Sequence, residues 1–443
     1  MGRRRRRPRL PEGEFEAVVE SMGHDGRGLA RVDGKATFIH GALPGERVMF
    51  RYLGRKRSHD EGQAVSVIEP AADRVEPRCA QYGVCGGCSL QHLAPEAQIA
   101  AKQAVLLDNL RQIGKVEPAE ILPPLINTSP WGYRRKARLG VKDVARKGRV
   151  LVGFRERGSS FVADIERCHV LHPHVGELLP QLSALIEQLS ISGRLPQIEM
   201  AMDDTRCVLI LRILEPLAET DTQLLRAFEH DHDVVFYLQP GGPDSVVPLT
   251  AAADLRYRLP EQDVTLSFLP GDFTQVNSDI NRKMVSRAID MLQLAPDDDV
   301  LDLFCGVGNF TLPIARYCRS VVGVEGDAGL VQRARTNAGH NALTNTEFFT
   351  ADLYGELPAE PWMQRRFDKV LLDPPRSGAA QVLPLLGQLG VRRIVYVSCY
   401  PGTLARDAGE LVSKHGYRLL SAGVMDMFPH TAHVESIALF ERK

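Results

Sequence analysis

The first part of the chain alternates apolar and polar positions in short runs: Phe15-Glu-Ala-Val-Val19, Ala36-Thr-Phe-Ile39, Arg47-Val-Met-Phe-Arg-Tyr-Leu53 and Ala64-Val-Ser-Val-Ile68. A period of two marks half-buried strands, and the glycines between the runs mark turns. The pattern predicts a small, five-stranded, OB-like barrel ending at Pro70. From about Pro95 to Ile113 the apolar positions Ile99, Leu106, Leu107 and Leu110 fall at helical spacing. Between about Trp131 and Pro270, strands and two helices alternate without a glycine-rich phosphate loop, the pattern of an α+β domain. After Gly271 helix and strand alternate regularly, which argues for a parallel, doubly wound sheet. The expected organisation is multidomain: a barrel over 11–69, an α+β middle domain over 70–270 and an α/β Rossmann-like domain over 271–443, with the helix near 95–113 packed on that last domain.

The candidate chemistry gathers at strand ends of the third region. Val300-Leu-Asp-Leu-Phe304 runs into Cys305-Gly-Val-Gly308-Asn-Phe310 and then a helix, and the two glycines allow a ligand to approach the backbone closely. About twenty residues on, the strand Val321-Val-Gly-Val324 ends at Glu325, a carboxylate suited to ribose hydroxyls. Nicotinamide folds share that acid, but Asp302 within the motif and the missing third glycine favour S-adenosylmethionine. Asp352 follows the strand Glu347–Ala351, where an acid either meets an adenine or caps a helix. A fourth strand, Lys369-Val-Leu-Leu372, enters Asp373-Pro-Pro-Arg376, whose prolines hold a carboxylate rigidly where a reacting base would sit.

The fifth strand, Arg393-Ile-Val-Tyr-Val397, is followed by Ser398-Cys399-Tyr400-Pro401-Gly-Thr403 and a helix with Thr403 as its expected cap. A helix N-terminus lowers the pKa of a nearby thiol, so Cys399 is positioned as a nucleophile, with a buried structural cysteine as the alternative. In His433-Val-Glu-Ser-Ile-Ala-Leu-Phe440, alternation aims Glu435, Ile437 and Leu439 to one side. A carboxylate on an apolar face needs a partner or a function; otherwise Glu435 is a rim residue in water.

Cys79, Cys85 and Cys88 lie within ten residues among Gly83, Gly86 and Gly87, which is metal-site spacing, and Cys168 is the candidate fourth thiolate. Three crowded thiolates and one distant one favour an iron-sulfur cluster over zinc, whose ligands usually come as two Cys-x-x-Cys pairs. Cys207 and Cys318 sit in apolar runs and read as buried small hydrophobes. No stretch reaches the ~18 apolar residues of a membrane span, and the arginines at 3–7 and 9 are not followed by an apolar segment, so they read as a basic arm on a cytoplasmic protein. The net charge of -1 hides an uneven distribution. Residues 131–157 carry ten bases against two acids, a pattern that suits phosphate backbones or a solvated charged face.

Taken together, Asp373-Pro-Pro-Arg376, Ser398-Cys-Tyr-Pro401, Phe273-Thr-Gln275-Val-Asn277 and His433-Val-Glu435 resemble the RNA uracil-C5-methyltransferase family, over nearly the whole chain. The resemblance implies a TRAM domain in the barrel and a [4Fe-4S] cluster on Cys79, Cys85, Cys88 and Cys168. It implies S-adenosylmethionine contacts from Gln275, Phe304, Asn309, Glu325, Asp352 and Asp373, with Cys399 as nucleophile and Glu435 as base. Within the family, a TRAM domain plus a cluster resembles the branch that methylates a single uridine of 23S ribosomal RNA, acting as a monomer with no obligate protein partner. The arginine arm is not part of the pattern. A transfer-RNA uracil enzyme is one alternative. An RNA cytosine-C5-methyltransferase would carry a cysteine where Arg376 stands, and an amino-methyltransferase would have no need of Cys399. A non-catalytic iron-sulfur RNA-binding assembly factor is the reading of a different class.

Overall fold

A computed structural model describes residues 10–355 and 360–442, so the Arg3–Arg7 arm lies outside the described residues. The chain forms two compact units. One holds the described residues up to Lys102 together with Glu156–Gly158 and Pro429–His433; the other holds Gln103–Arg155, Ser159–Phe428 and the chain from Val434 on.

The first unit contains a closed barrel of β1 (Phe15–Met22), β2 (Gly28–Val32), β3 (Lys35–His40), β4 (Arg47–Arg55) and β5 (Asp60–Glu69), ordered β1-β2-β3-β5-β4. This is the barrel that the alternation predicts. Its inward positions, among them Val19, Ala30, Ile39, Val48 and Phe50, form one apolar core. A Cβ on Gly62 would lie 2.6 Å from the Phe50 ring, so only glycine lets β5 pass that side chain. Two buried acids lock the barrel. Glu46 accepts from Leu43 N at 2.8 Å, Ala71 N at 3.2 Å and Arg74 Nη2 at 2.8 Å. Asp60 accepts Lys35 Nζ at 2.6 Å, with Arg55 Nε 3.3 Å away. The cysteine loop and the first part of α1 (Pro95–Asn109) complete this unit.

In the second unit the end of α1 continues as a π turn, Leu110–Gly114. After β6 (Glu120–Ile121) comes a mixed sheet of β7 (Lys136–Val144), β8 (Arg149–Gly153), β9 (Gln197–Met202), β10 (Cys207–Arg212), β11 (Val235–Gln239) and β12 (Val247–Pro248), ordered β12-β11-β10-β9-β7-β8. The short α2 (Pro173–Gly176) precedes α3 (Leu179–Gln188), which packs on β8, and α4 (Glu219–His232) packs on α3. A hairpin, β13 (Leu255–Leu259) and β14 (Val264–Phe268), follows; its Leu259, Val264 and Leu266 bury in the core of the next sheet.

That next sheet is built by α5 (Ser278–Leu292), β15 (Asp299–Leu303), α6 (Thr311–Ala315), β16 (Ser320–Glu325), α7 (Ala328–His340), β17 (Thr346–Thr350), β18 (Lys369–Leu372), α8 (Leu383–Gln388), β19 (Arg393–Ser398), α9 (Pro401–Lys414), β20 (Tyr417–Met425) and β21 (Glu435–Arg442). Among the described residues the strand order is β17-β16-β15-β18-β19-β21-β20-β6. The strands β15 to β19 run parallel, as the regular alternation predicts, and β21 enters antiparallel beside β19. α5 shows why such helices cover the sheet: Ile280, Met284, Ala288 and Met291 recur every three or four residues and all enter the core. Asn277 caps it by accepting from Ile280 N at 3.3 Å. The turn 110–114 packs directly on α9, where a Cβ on Gly409 would lie 2.6 Å from Gly114 O. Because β21 is an interior strand covered on both faces, residues 435–440 are all buried, and the expected apolar-polar alternation is absent there.

Candidate active site

The order of the parallel strands reverses between β15 and β18, and ligands of doubly wound sheets bind in the crevice at the carboxyl ends beside such a switch point. Four loops meet the crevice. After β15, Phe304 takes a left-handed backbone at φ 67°, unusual for a bulky residue, and Gly306 and Gly308 follow at φ 55° and 95°. After β16, Glu325 is fixed from both sides: its Oε2 accepts Gly306 N at 3.1 Å, and its Oε1 accepts Gly326 N at 2.7 Å and Asp327 N at 3.1 Å. After β17, Asp352 is exposed and accepts Tyr354 N at 2.9 Å, so it closes a turn instead of a helix. The Tyr354 ring lies 5.6 Å from that of Phe304.

Asp373 leaves β18 next to this crevice, and burial together with the Glu325 charge pushes its carboxyl up to about 7. Beneath it Asp302 is fully buried; its Oδ2 accepts Thr311 Oγ1 at 2.5 Å while Oδ1 has no partner. Burial raises Asp302 to about 8, with the charges of Asp373 and Glu325 adding to it. An accumulation of acids with little compensating charge suits a cationic ligand, and a fixed carboxylate at the end of β16 suits ribose hydroxyls. The donor set therefore fits S-adenosylmethionine.

The thiol and the second acid meet through strand register. β19 pairs with β21 so that Ser398 faces Ser436, and Ser436 Oγ donates to Ser398 O at 3.3 Å. Just past this last pair, Cys399 follows β19 and Glu435 begins β21, near enough for the Glu435 charge to act on the thiol. Glu435 is only 4% exposed, and burial followed by the Asp373 charge pushes it up to about 8. Cys399 rises to about 11, from burial first and then from Glu435 and Asp373. The helix N-terminus was expected to lower that thiol; burial beside two carboxylates outweighs it. Arg376 opposes both shifts. Thr403 is not the helix cap: α9 begins at Pro401, and Thr403 Oγ1 donates to Tyr400 O at 3.1 Å.

Of the remaining predicted residues, Asn309 lies in the loop after β15. Asn309 and Asn281 exchange amide hydrogen bonds at 3.0 Å, and Tyr257 Oη donates to Asn309 Oδ1 at 3.0 Å. Gln275 is half-buried in the segment leading to α5, beside Val276, whose carbonyl accepts Arg135 N at 2.8 Å. Sequence reading assigned no role to Arg376, Asn281 or Tyr257. Arg376 had a signal, being the one base in its motif; Asn281 and Tyr257 had none, because they reach Asn309 only through packing.

None of the cysteines forms a disulfide. Cys79, Cys85 and Cys88 lie in the first unit, with Gly87 N 3.3 Å from Cys85 Sγ, and Cys168 lies in the second. Among the described residues no three His, Cys, Asp or Glu side chains are gathered closely enough to hold a metal ion. Four of the ten bases in the segment 131–157 meet acids of the second unit. Arg135 pairs with Asp204 at 2.9 Å, Arg138 with Glu199 at 2.8 Å, and Lys147 and Arg149 share Asp164.

The strand order, the acid after β16 and the crevice at the switch point define a Rossmann-like methyltransferase. Residues 253–443 match the family model for tRNA (uracil-5-)-methyltransferase, and residues 12–49 match that for the TRAM domain. The chain is 55% identical over 445 residues to the 23S rRNA (uracil(1939)-C(5))-methyltransferase of Alkalilimnicola ehrlichii, covering 100% of this chain and 99% of the relative. Identity to the enzyme of the same name from Xanthomonas axonopodis pv. citri is 53%, covering 99% of this chain and 100% of the relative. The solved structure of Pyrococcus abyssi tRNA (uracil-54, C5)-methyltransferase with S-adenosyl-L-homocysteine has the same fold, at a TM-score of 0.73 and 23% identity, over 96% of this chain and 100% of that one. The chain belongs to the RNA uracil-C5-methyltransferase family.

Proposed function

We propose that this chain methylates C5 of a single uridine in 23S ribosomal RNA, with Cys399 as nucleophile and Glu435 as base. The observation that carries the reading is a thiol just past the end of β19 that feels the charge of a buried, proton-holding carboxyl at the start of the neighbouring strand β21. Full-length identity above 50% to enzymes named for that substrate supports the choice of RNA. S-adenosylmethionine supplies an electrophilic methyl on a sulfonium when bound. Gln275, Phe304, Asn309, Glu325, Asp352 and Asp373 hold it.

Uracil C5 is too weak a nucleophile unaided. The Cys399 thiolate adds to C6, its electron pair forming the S–C6 bond and pushing the C5=C6 pair into an enolate, which makes C5 nucleophilic enough to take the methyl of the sulfonium, whose S–CH3 pair would stay on sulfur as the thioether leaves. Ionised Glu435 then takes the C5 proton; the C5=C6 bond re-forms, the S–C6 bond breaks, and Cys399 leaves as thiolate. Both groups must first lose a proton that burial makes them hold, and Arg376 is the neighbouring cation that favours the loss. The target base must leave its stack to reach the crevice. RNA carrying 5-fluorouridine at the target should trap the protein covalently, because fluorine does not leave C5 as a proton does. Free RNA and unmodified protein on a denaturing gel would refute the covalent route.

Cys79, Cys85, Cys88 and Cys168 form the second part of the proposal: thiolates of a [4Fe-4S] cluster with a structural role, in a protein working as a monomer in the cytoplasm. Support comes from their spacing, their freedom from disulfides and the N–H directed at Cys85 Sγ. Anaerobically purified protein should contain about four iron and four sulfide per chain; stoichiometric zinc without sulfide would overturn this.

A further inference from the structure

One fully buried carboxylate of the methyltransferase core has no part in the chemistry above. Asp407 lies on α9, on the helix that follows the nucleophile loop, and is 0% exposed. Its Oδ2 accepts Ala379 N and Tyr396 Oη, both at 2.7 Å, and its Oδ1 accepts Arg406 Nε at 2.8 Å. Arg406 Nη2 in turn donates to Ser377 O at 2.8 Å, and Tyr354 Oη donates to Gly378 O at 3.1 Å. Three consecutive residues, 377, 378 and 379, are therefore each pinned by a side chain from another element. The approach is close: Gly378 stands at φ 81°, and a Cβ there would lie 2.6 Å from Asp407 Oδ2. Arg376 immediately precedes this pinned stretch.

We propose that Asp407 is a positioning residue, which clamps the loop after β18 to α9 and thereby holds Arg376 beside Cys399 and Glu435. A buried carboxylate costs several kcal/mol to desolvate, and a helix core has no need of one. Here its three hydrogen bonds reach the loop after β18, strand β19 and the neighbouring Arg406, which ties together the loops bearing Asp373, Arg376 and Cys399. The groups facing Cys399 are Glu435 from β21, Asp373 and Arg376 from the loop after β18, and Tyr354 from the loop after β17. Arg376 is the one that favours the thiolate, so its displacement disfavours ionisation of Cys399.

The inference rests on the reading of Cys399 as nucleophile, but its test does not require methyl transfer. Iodoacetamide labelling of Cys399 in the full-length protein, followed by peptide mass spectrometry across pH, reports the thiolate fraction directly. Asp407→Asn and Arg376→Gln should each slow labelling at pH 8.5 by about threefold and displace the profile upward by roughly half a pH unit. The double variant should go no further than either single one. A lower melting temperature for Asp407→Asn with a wild-type labelling profile would make Asp407 merely structural and overturn the proposal, as would additive effects in the double variant. If Asp407→Asn does not fold, Gly378→Ala carries the same expectation, since its new methyl pushes against both Asp407 and Arg406; a wild-type profile there rejects the clamp. Turnover in Cys399→Ala would refute the nucleophile reading separately.

Discussion

The barrel and the methyltransferase sheet both bury acids, and they treat them in opposite ways. In the barrel, Glu46 receives two backbone N–H groups and the Arg74 guanidinium; despite the penalty of burial, these bonds hold its carboxyl below the usual range. At the crevice, burial raises Asp302 and Glu435 to about 8 and Asp373 to about 7, with the Asp373 charge adding to the first two and the Glu325 charge to Asp302 and Asp373. A paired buried acid is scaffolding, because its free energy is lowest when nothing changes. A buried acid left short of partners sits near neutrality and can give or take a proton, which is what a reacting site needs. Asp407 shows that the distinction follows the partners and not the domain: it lies on α9, beside the methyltransferase sheet, yet it is bonded as fully as Glu46.

The hardest test of this contrast is to remove the group the crevice acids surround. Cys399→Ala should lower methylation by about a thousandfold or more, while S-adenosylhomocysteine binding, measured by calorimetry, stays near wild type; residual fast turnover would point to methylation of an amino group. Glu435→Gln is expected to slow product release by about a hundredfold and to accumulate methylated RNA bound to Cys399, visible as a retarded band on a denaturing gel. Release at the wild-type rate would show that another group takes the proton. The barrel acid should behave differently. Glu46→Ala should destabilise the barrel by about 2 kcal/mol, read by limited proteolysis or urea unfolding, with S-adenosylhomocysteine affinity unchanged. Because the folded pKa of Glu46 is depressed, its contribution persists at neutral pH and fades as the pH falls below the ordinary carboxylate range.

The smallest effect is the pH dependence of the crevice. With Glu435 near 8, its ionised fraction rises about tenfold between pH 7 and 9. Single-turnover methylation should climb with it, helped by the rising Cys399 thiolate; a flat profile would place the titrating groups elsewhere. Stability should move the other way. Between its ordinary 4.5 and about 8, the folded chain keeps a proton that the unfolded chain releases, so the Glu435 contribution is lost as the pH rises through 8. Glu435→Gln should consequently melt above wild type at pH 9, by about 2 °C or more, with no such gain at pH 5.

Much of this was legible in the order of residues. Period-two runs mark the barrel strands, alternating periods mark the doubly wound sheet, and Phe304, Glu325, Asp352, Asp373 and Cys399 each stand at or just past the end of a strand that the local pattern identifies. Such features depend on a few neighbouring residues, through backbone sterics and the burial of one face, so they can be read locally. Three decisions belonged to the tertiary structure. Insertion of β21 beside β19, through hydrogen bonds between distant segments, brought the Glu435 charge near Cys399. Burial beside two carboxylates turned a thiol expected to be acidic into one raised to about 11. The basic run at 131–157 placed four of its ten bases against Asp164, Glu199 and Asp204. Conformation is settled largely by neighbours in sequence, whereas electrostatic potential and desolvation sum over everything the fold brings near, so sequence located the proposed reacting groups and only the folded chain set the surroundings that govern their protonation.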